Sequence, residues 1–256
     1  MSSDRPIEFT KENIDTYLKE VAKEYKKQLS KNMPAEMILI GGASVLINYG
    51  FRDMTTDIDA IIQAATAMKD VINRVGDKYH LPNGWLNQDF KNTDSYSPKL
   101  LQFSKHYKIY AKVLTVRTVA AEYLVAMKLR SGRQYKSDLS DVLGILAEHE
   151  KKGSPITLEQ IQKAVSDLYG SWDALSEASR NFIMNAMNDG HFNDLYMKAV
   201  AGEKETKELL VEFEKKYPGK TKIANVDSIV GNLQKKTNRA SILADLRKKK
   251  TDNGSN

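Results

Sequence analysis

The chain contains no cysteine among its 256 residues. This absence excludes a disulfide-stabilised scaffold, thiol catalysis and zinc sites with thiolate ligands. Long hydrophobic runs are also missing, because the longest apolar stretch, residues 37–47, contains two glycines and is too short to span a bilayer. No hydrophobic segment follows the polar start at residues 1–6, so the sequence predicts a cytoplasmic protein with no membrane partner.

Histidine is scarce as well, with four residues and no His-x-x-x-His spacing, which argues against a zinc hydrolase. The hydrophobic fraction of 41% and the charged fraction of 28% are ordinary for a globular protein. A chain of this length can form one large domain or two small ones.

The most informative pattern lies in the first quarter of the chain. The apolar residues 38–40 are followed directly by Gly41 and Gly42, which predicts a strand that turns sharply into a helix. Fifteen residues after Gly42, Asp57 and Asp59 begin a second apolar segment that is typical of a strand. Each feature alone is common in turns and strand edges, but together they place glycines and carboxylates at the ends of two strands joined by one helix.

These residue types suit phosphate chemistry. Side chains alternate along a strand, so Asp57 and Asp59 are expected to point to the same face. Two carboxylates so arranged favour hard divalent cations, and glycines let the backbone approach phosphates closely. The pattern therefore predicts a metal-dependent site for phosphoryl or nucleotidyl transfer.

The pattern resembles the nucleotidyltransferase-fold superfamily, and in detail its abortive-infection (AbiEii-like, type IV toxin) branch. The residues that carry this resemblance are Gly41-Gly42-Ala43-Ser44-Val45-Leu46, Arg52 and Thr56-Asp57-Ile58-Asp59. The resemblance implies that Gly41, Gly42 and Ser44 hold the triphosphate of a nucleoside triphosphate. It also implies that Asp57 and Asp59 bind Mg²⁺ or Mn²⁺.

Further matches to this branch follow later in the chain. Thr118, Glu122 and Ala126-Met127-Lys128 match its helical motif, and Asp138-Leu139-Ser140-Asp141 matches the segment after it. The resemblance assigns Lys128 to the charge on the triphosphate, and Asp138 to orienting that lysine or binding metal. The alternative is a surface ion pair between Lys128 and Asp138 with little energetic effect.

One element of the superfamily pattern is missing. A third carboxylate usually follows on the next strand, in this branch often as Lys-x-Asp. Here the motif is Lys112-Val113-Leu114, which keeps Lys112 as a nucleotide-binding candidate but places leucine where the acid would stand. Asp89, Asp94 or Glu122 are substitutes whose position the sequence leaves open.

The organisation along the chain predicts an α/β fold, with a mixed sheet flanked by helices and an all-helical C-terminal half. We place the α/β domain at residues 1–117 and the helical domain at residues 118–256. Residues 100–103 and 107–116 are predicted strands, because the second segment alternates and is rich in β-branched residues. Basic residues crowd residues 235–250, which indicates either affinity for phosphate backbones or a solvated helix end.

These features lead to the hypothesis of a toxin-like nucleotidyltransferase that transfers a nucleoside monophosphate to an acceptor hydroxyl. RNA, including tRNA, is the favoured acceptor because of the basic tail, while a protein side chain or a small molecule stays open. A cognate antitoxin is an expected partner of a toxin of this branch. The alternatives are a catalytically silent nucleotide- or partner-binding module and an antibiotic-modifying nucleotidyltransferase.

Overall fold

The structure, a computed structural model, describes residues 8–29, 33–133, 136–222, 225–226 and 228–233. The basic segment at residues 235–250 lies outside these ranges, so its expected contact with phosphate backbones stays a prediction. Along the described ranges, no helix combines the length and the apolar character that crossing a bilayer requires.

Five strands form one mixed sheet with the order β3-β2-β1-β5-β4. The strands are β1 (Ala35–Leu39), β2 (Ile58–Gln63), β3 (Leu86–Asn87), β4 (Ser104–Tyr110) and β5 (Leu114–Val119). The α-helices are α1 (Lys11–Gln28), α2 (Gly41–Asn48), α3 (Ala67–Tyr79), α4 (Ala121–Ser131), α5 (Asp138–Lys151), α6 (Leu158–Tyr169), α7 (Glu177–Asp189) and α8 (Phe192–Lys216). The predicted fold class is confirmed.

The strand directions bring three chain segments to one edge of the sheet. Strand β1 is antiparallel to β2 and parallel to β5, and its last residue, Leu39, pairs with Ala60 and Thr118. The C-terminal ends of β1 and β5 therefore lie beside the N-terminal end of β2. This edge is where α2 begins and where Asp57 precedes β2.

The two faces of the sheet have separate hydrophobic cores. Met37 and Leu39 of β1 pack with α1 and α3, whereas Ile38 packs with the core of α4 to α7. In β2, Ile58 and Ala60 lie on the α1/α3 side, so alternation directs the intervening Asp59 toward the face that the helical half covers.

The helical half packs on the sheet rather than beside it, because one core cluster joins Ile38 and Val119 to residues of α4 to α7. Strand β5 runs to Val119, two residues past the predicted boundary at residue 117. The division into domains at residues 1–117 and 118–256 stays a prediction.

The strand predictions for residues 100–103 and 107–116 were wrong in detail. Residues 98–101 form a 3₁₀ helix, and the second segment is a hairpin in which β4 and β5 are separated by a tight turn. Ala111 and Lys112 form this turn with φ values of 49° and 63°. Such left-handed backbone favours Asn or Gly, so the sequence gives no sign of the turn.

Candidate active site

A cavity of about 910 Å³ opens between the sheet edge and the helical half. One wall consists of the start of α2, the loop before β2 and the segment after β3. The other wall consists of the end of α4, the start of α5 and the middle of α8. Of the residues predicted for the site, six line this cavity: Gly41, Gly42, Asp57, Asp59, Lys128 and Asp138.

The two glycines form the first turn of α2. The first turn of a helix leaves backbone N–H groups without intrahelical acceptors, and the helix dipole makes this end attractive to anions. Gly41 has a φ of 55°, and a Cβ there would lie 3.6 Å from Oδ2 of Asp59. The start of α2 and the carboxylate of Asp59 are therefore close neighbours.

A side chain at Gly42 would collide with its surroundings. A Cβ there would lie 2.7 Å from Oγ1 of Thr55 and 3.1 Å from Nη2 of Arg52. The guanidinium of Arg52 thus lies directly over the first turn of α2. Glycine at this position lets a cation and free backbone N–H groups share one site.

Asp57 directly precedes β2, and Asp59 is the second residue of that strand. The carbonyl of Asp59 accepts a hydrogen bond from the N–H of Ile40 at 3.0 Å, which fixes β2 to the turn before α2. Partial burial and then the negative charge of Asp57 raise the pKa of Asp59 from 3.8 to about 6. A carboxylate whose ionisation is disfavoured by a neighbouring carboxylate in this way is typical of a cation site.

The carboxylates of Asp57 and Asp59 provide the hard oxygen ligands that Mg²⁺ and Mn²⁺ prefer. A cation bound there would also favour the ionised form of Asp59 and so offset the raised pKa of this residue. Within the described ranges, no three acidic, histidine or cysteine side chains are close enough together to hold a metal ion. The described part of the chain therefore offers two carboxylate ligands here, and this donor set fits a cation that also binds substrate phosphates.

Lys128 forms a buried ion network with two aspartates of α5. Its Nζ lies 2.8 Å from a carboxylate oxygen of both Asp138 and Asp141. Arg52 contacts Asp141 at 2.6 Å, and Arg133 contacts Asp138 at 2.8 Å. The alternative of a surface pair between Lys128 and Asp138 was therefore wrong, because Lys128 is only 7% exposed and Asp138 is fully buried.

The network favours the charged forms of Lys128 and Asp138. Burial disfavours the ammonium of Lys128, but the charges of Asp141 and Asp138 more than offset this and raise its pKa. Burial likewise acts against the carboxylate of Asp138, yet Lys128 and Arg133 lower its pKa below the ordinary value. Three cations face two carboxylates, so the network has a net charge of +1 beside the start of α2.

Two predicted residues do not join the cavity. Ser44 is fully buried, and its hydroxyl accepts a hydrogen bond from the N–H of Val119 at 3.2 Å. Its side chain therefore connects α2 to β5. It does not face the cavity, although the prediction assigned it to the triphosphate. Lys112 lies in the β4–β5 turn, two residues before Leu114, which pairs with Ala35 at the start of β1.

This register places Lys112 at the opposite end of the sheet from Gly41, so its prediction as a nucleotide-binding residue was wrong. Leu114, where the third carboxylate was expected, is buried at the same distant end. The Lys-x-Leu motif therefore has no bearing on the site.

Among the three substitute carboxylates, only Asp89 lines the cavity. Asp89 follows β3, which pairs with β2 so that Asn87 lies opposite Asp59, and its charge contributes to the raised pKa of Asp59. Glu122 instead lies on α4, where its charge acts on Tyr49 and Tyr123.

Several residues of the site were not predicted for it. Asp141 had a detectable signal, because it lies three residues after Asp138 and so on the same face of a helix. Arg52 belongs to the pattern that carries the family resemblance, which assigned it no role. Arg133 had no signal beyond its charge, since its contact depends on how separate segments pack. Glu203 also lines the cavity from α8, and its carboxylate accepts hydrogen bonds from the N–H and hydroxyl of Ser140 at 3.1 and 2.7 Å.

A comparison with protein families matched residues 16–150, which run from α1 nearly to the end of α5 and include both aspartate pairs. Comparisons with curated proteins and with solved structures found no match. The family match supports the nucleotidyltransferase superfamily and covers more than half of the chain. The chain therefore belongs to the family described as "Nucleotidyltransferase of unknown function (DUF6036)".

Proposed function

We propose that this protein transfers a nucleoside monophosphate from a nucleoside triphosphate to an acceptor hydroxyl, with Mg²⁺ or Mn²⁺ as cofactor. The observation that carries this proposal is the meeting of three groups at one cavity: the first turn of α2, the Asp57/Asp59 pair and the cation network around Lys128. Their charges match the parts of a metal–triphosphate complex.

Asp57 and Asp59 would hold the cation. When bound, the cation neutralises phosphate charge and makes the α-phosphate more electrophilic. Ligation needs the ionised form of Asp59, so the raised pKa of this residue supports loss of metal binding as the pH falls through about 6.

The triphosphate would lie between the first turn of α2 and the Lys128 network. The N–H groups of Gly41 and Gly42 donate to phosphate oxygens, and Arg52 lies beside Gly42 to contact the same group. Lys128 supplies a compact positive charge for the phosphates that leave. Asp138 and Asp141 hold Lys128 and Arg52 in place through their ion pairs.

In the reaction, an acceptor oxygen forms a bond to the α-phosphorus while the bond from that phosphorus to the pyrophosphate oxygen breaks. The acceptor proton goes to a base, and the electron pair of the broken bond leaves with pyrophosphate. Asp89 is our candidate for this base, because it is the only one of the three substitute carboxylates that lines the cavity.

We further propose a toxin-like role with RNA, including tRNA, as acceptor, a cytoplasmic location and a cognate antitoxin as partner. The basic composition, with a net charge of +6, supports a polyanionic acceptor. The second candidate function is a catalytically silent nucleotide-binding module, which is favoured by the absence of a three-carboxylate cluster within the described residues.

Incubation with labelled nucleoside triphosphates distinguishes these functions. Each of the four nucleotides, labelled in the α-phosphate, is incubated with Mg²⁺ and total cellular RNA, a protein extract or a set of aminoglycosides. The proposal predicts label in RNA from the intact protein and none from Asp57→Ala or Asp59→Ala. Label in an aminoglycoside would identify an antibiotic-modifying enzyme, and nucleotide binding without any transfer would identify the silent module.

A further inference from the structure

Helix α8 lies beyond the family match, yet it forms part of the cavity wall. Lys204 and Lys207 of this helix line the cavity that also contains Asp57 and Asp59. Both lysines are exposed, and neither forms an ion-pair contact with another residue in the ranges described above, although the charge of Lys207 favours the ionised form of Glu203. Their charges are therefore available to a ligand in the cavity.

Two contacts hold this part of α8 in place. The buried carboxylate of Glu203 accepts both hydrogen bonds from Ser140 in the first turn of α5, the same turn that contains Asp138 and Asp141. Seven residues before Glu203 in α8, the hydroxyl of Tyr196 donates to the carbonyl of Phe51 at 3.0 Å. The lysines therefore have a fixed relation to the groups that would bind the nucleotide.

Charge is divided between the two walls of the cavity. The wall from the sheet edge is net negative, because it carries the carboxylates Asp53, Asp57, Asp59 and Asp89 against the single cation Arg52. The wall from the helical half is net positive, because its five cations outnumber the carboxylates Asp138, Asp141 and Glu203. Of these cations, Lys128 is already paired with the two aspartates of α5. Lys204 and Lys207 lie outside that network, so they provide positive charge beyond what the triphosphate site uses.

We propose that Lys204 and Lys207 form an acceptor subsite that binds the sugar–phosphate backbone of single-stranded RNA next to its reacting hydroxyl. This inference rests on the proposed nucleotidyl transfer and names the part of the cavity that receives the acceptor. Two cations on one helix suit consecutive phosphates of a flexible strand, because each contact releases condensed counterions. A neutral small acceptor would gain nothing from this pair of charges.

The test compares two double variants of the full chain. Lys204→Ala/Lys207→Ala removes the pair from the cavity wall, and Lys198→Ala/Lys216→Ala removes two exposed lysines of α8 that do not line the cavity. Binding of a short fluorescein-labelled single-stranded RNA is measured by anisotropy between about 50 and 200 mM salt. Thermal unfolding of both variants checks that the fold is unchanged.

The proposal predicts that the cavity variant binds RNA about tenfold more weakly at low salt and that its log–log salt slope falls by about 1.4. The control variant should keep a slope close to that of the unmodified chain, and both should bind nucleoside triphosphate as before. Lys204→Gln/Lys207→Gln, which keeps the side-chain stems, should behave like the alanine pair. Equal slopes in the two variants, or no binding of RNA by the unmodified chain, would overturn the subsite.

The transfer assay separates this inference from the proposed function. If the unmodified chain transfers label to RNA and the cavity variant does so with an unchanged KM for RNA, nucleotidyl transfer stands and the subsite is wrong. If the cavity variant loses RNA affinity but the unmodified chain labels no acceptor, the subsite stands as an RNA-binding surface and the proposed reaction is wrong.

Discussion

Asp59 binds its proton more tightly in the folded chain than in the unfolded one, because burial and Asp57 raise its pKa from 3.8 to about 6. Below the unfolded value, the carboxyl is protonated in both states and has no differential effect. Above about 6, the folded state must hold an ionised carboxylate that it disfavours. Without metal, this residue therefore destabilises the folded chain at neutral pH.

Asp59→Asn should raise the free energy of unfolding by on the order of 1–2 kcal/mol at about pH 7, with the gain disappearing near pH 3. Solvent screening at this partly exposed site keeps the gain below the full value of the pKa shift. The measurement is urea unfolding with a chelator present, repeated across this pH range. A loss of stability at neutral pH would show that Asp59 stabilises the fold instead.

At the scale of elements, the N-terminus of α5 is capped from another helix. Ser137 occupies the N-cap position, but its side chain makes no capping hydrogen bond, and the carboxylate of Glu203 in α8 accepts from the N–H and hydroxyl of Ser140 instead. A cap of this kind contributes about 1–2 kcal/mol, and here it also positions Asp138 and Asp141.

Glu203→Ala should therefore lower the free energy of unfolding by about 1–2 kcal/mol and reduce the rate of transfer. Glu203→Gln keeps one acceptor oxygen and should recover part of the free energy of unfolding and part of the transfer rate. Ser137→Ala is the matched control and should change neither. Chemical unfolding and kcat report the two effects, and a large loss in the Ser137 variant would contradict capping by Glu203.

The first turn of α2 should tolerate no side chain at its second residue. Gly42→Ala places a Cβ against Thr55 and Arg52, so we expect weaker binding of Mg²⁺–nucleoside triphosphate, by about tenfold or more, in titration calorimetry. Gly202→Ala in α8 is the control, because no atom lies within 4 Å of the added Cβ. It should be neutral or stabilising by about 0.5–1 kcal/mol. Unchanged affinity in the Gly42 variant would argue against phosphate binding at this turn.

Sequence reasoning succeeded where the site depends on strand ends that are close along the chain. Gly41 and Asp59 lie close together because β1 and β2 are paired strands joined by one helix. Side chains alternate between the two faces of a strand, and this alternation sets the face to which Asp59 points. It failed at Lys112, because Ala111 and Lys112 adopt a left-handed turn inside a β-branched run that contains neither Asn nor Gly.

The charge network shows a second limit of sequence reasoning. Arg52 and Asp141 are 89 residues apart, and their contact exists only because α5 packs over the loop before β2. Residue types and local periods contain no information on this packing. The same holds for Glu203, which comes to Ser140 from 63 residues away.

At the scale of the whole molecule, the candidate site belongs to neither half alone. The sheet edge provides the carboxylates and the first turn of α2, while the helical half provides Lys128 and the wall of α8. The ion pair between Arg52 and Asp141 joins the two at 2.6 Å. Our account therefore requires that both halves act on one triphosphate, with cleavage next to the α-phosphate.

The most direct measurement compares α-labelled with γ-labelled nucleoside triphosphate in the transfer assay with RNA and Mg²⁺. The account predicts that α-label enters the acceptor, that γ-label appears only in pyrophosphate, and that Asp57→Ala and Asp59→Ala abolish both. Transfer of the γ-label to the acceptor would show phosphoryl transfer instead. That result, or activity in the two aspartate variants equal to that of the unmodified chain, would contradict nucleotidyl transfer at this site.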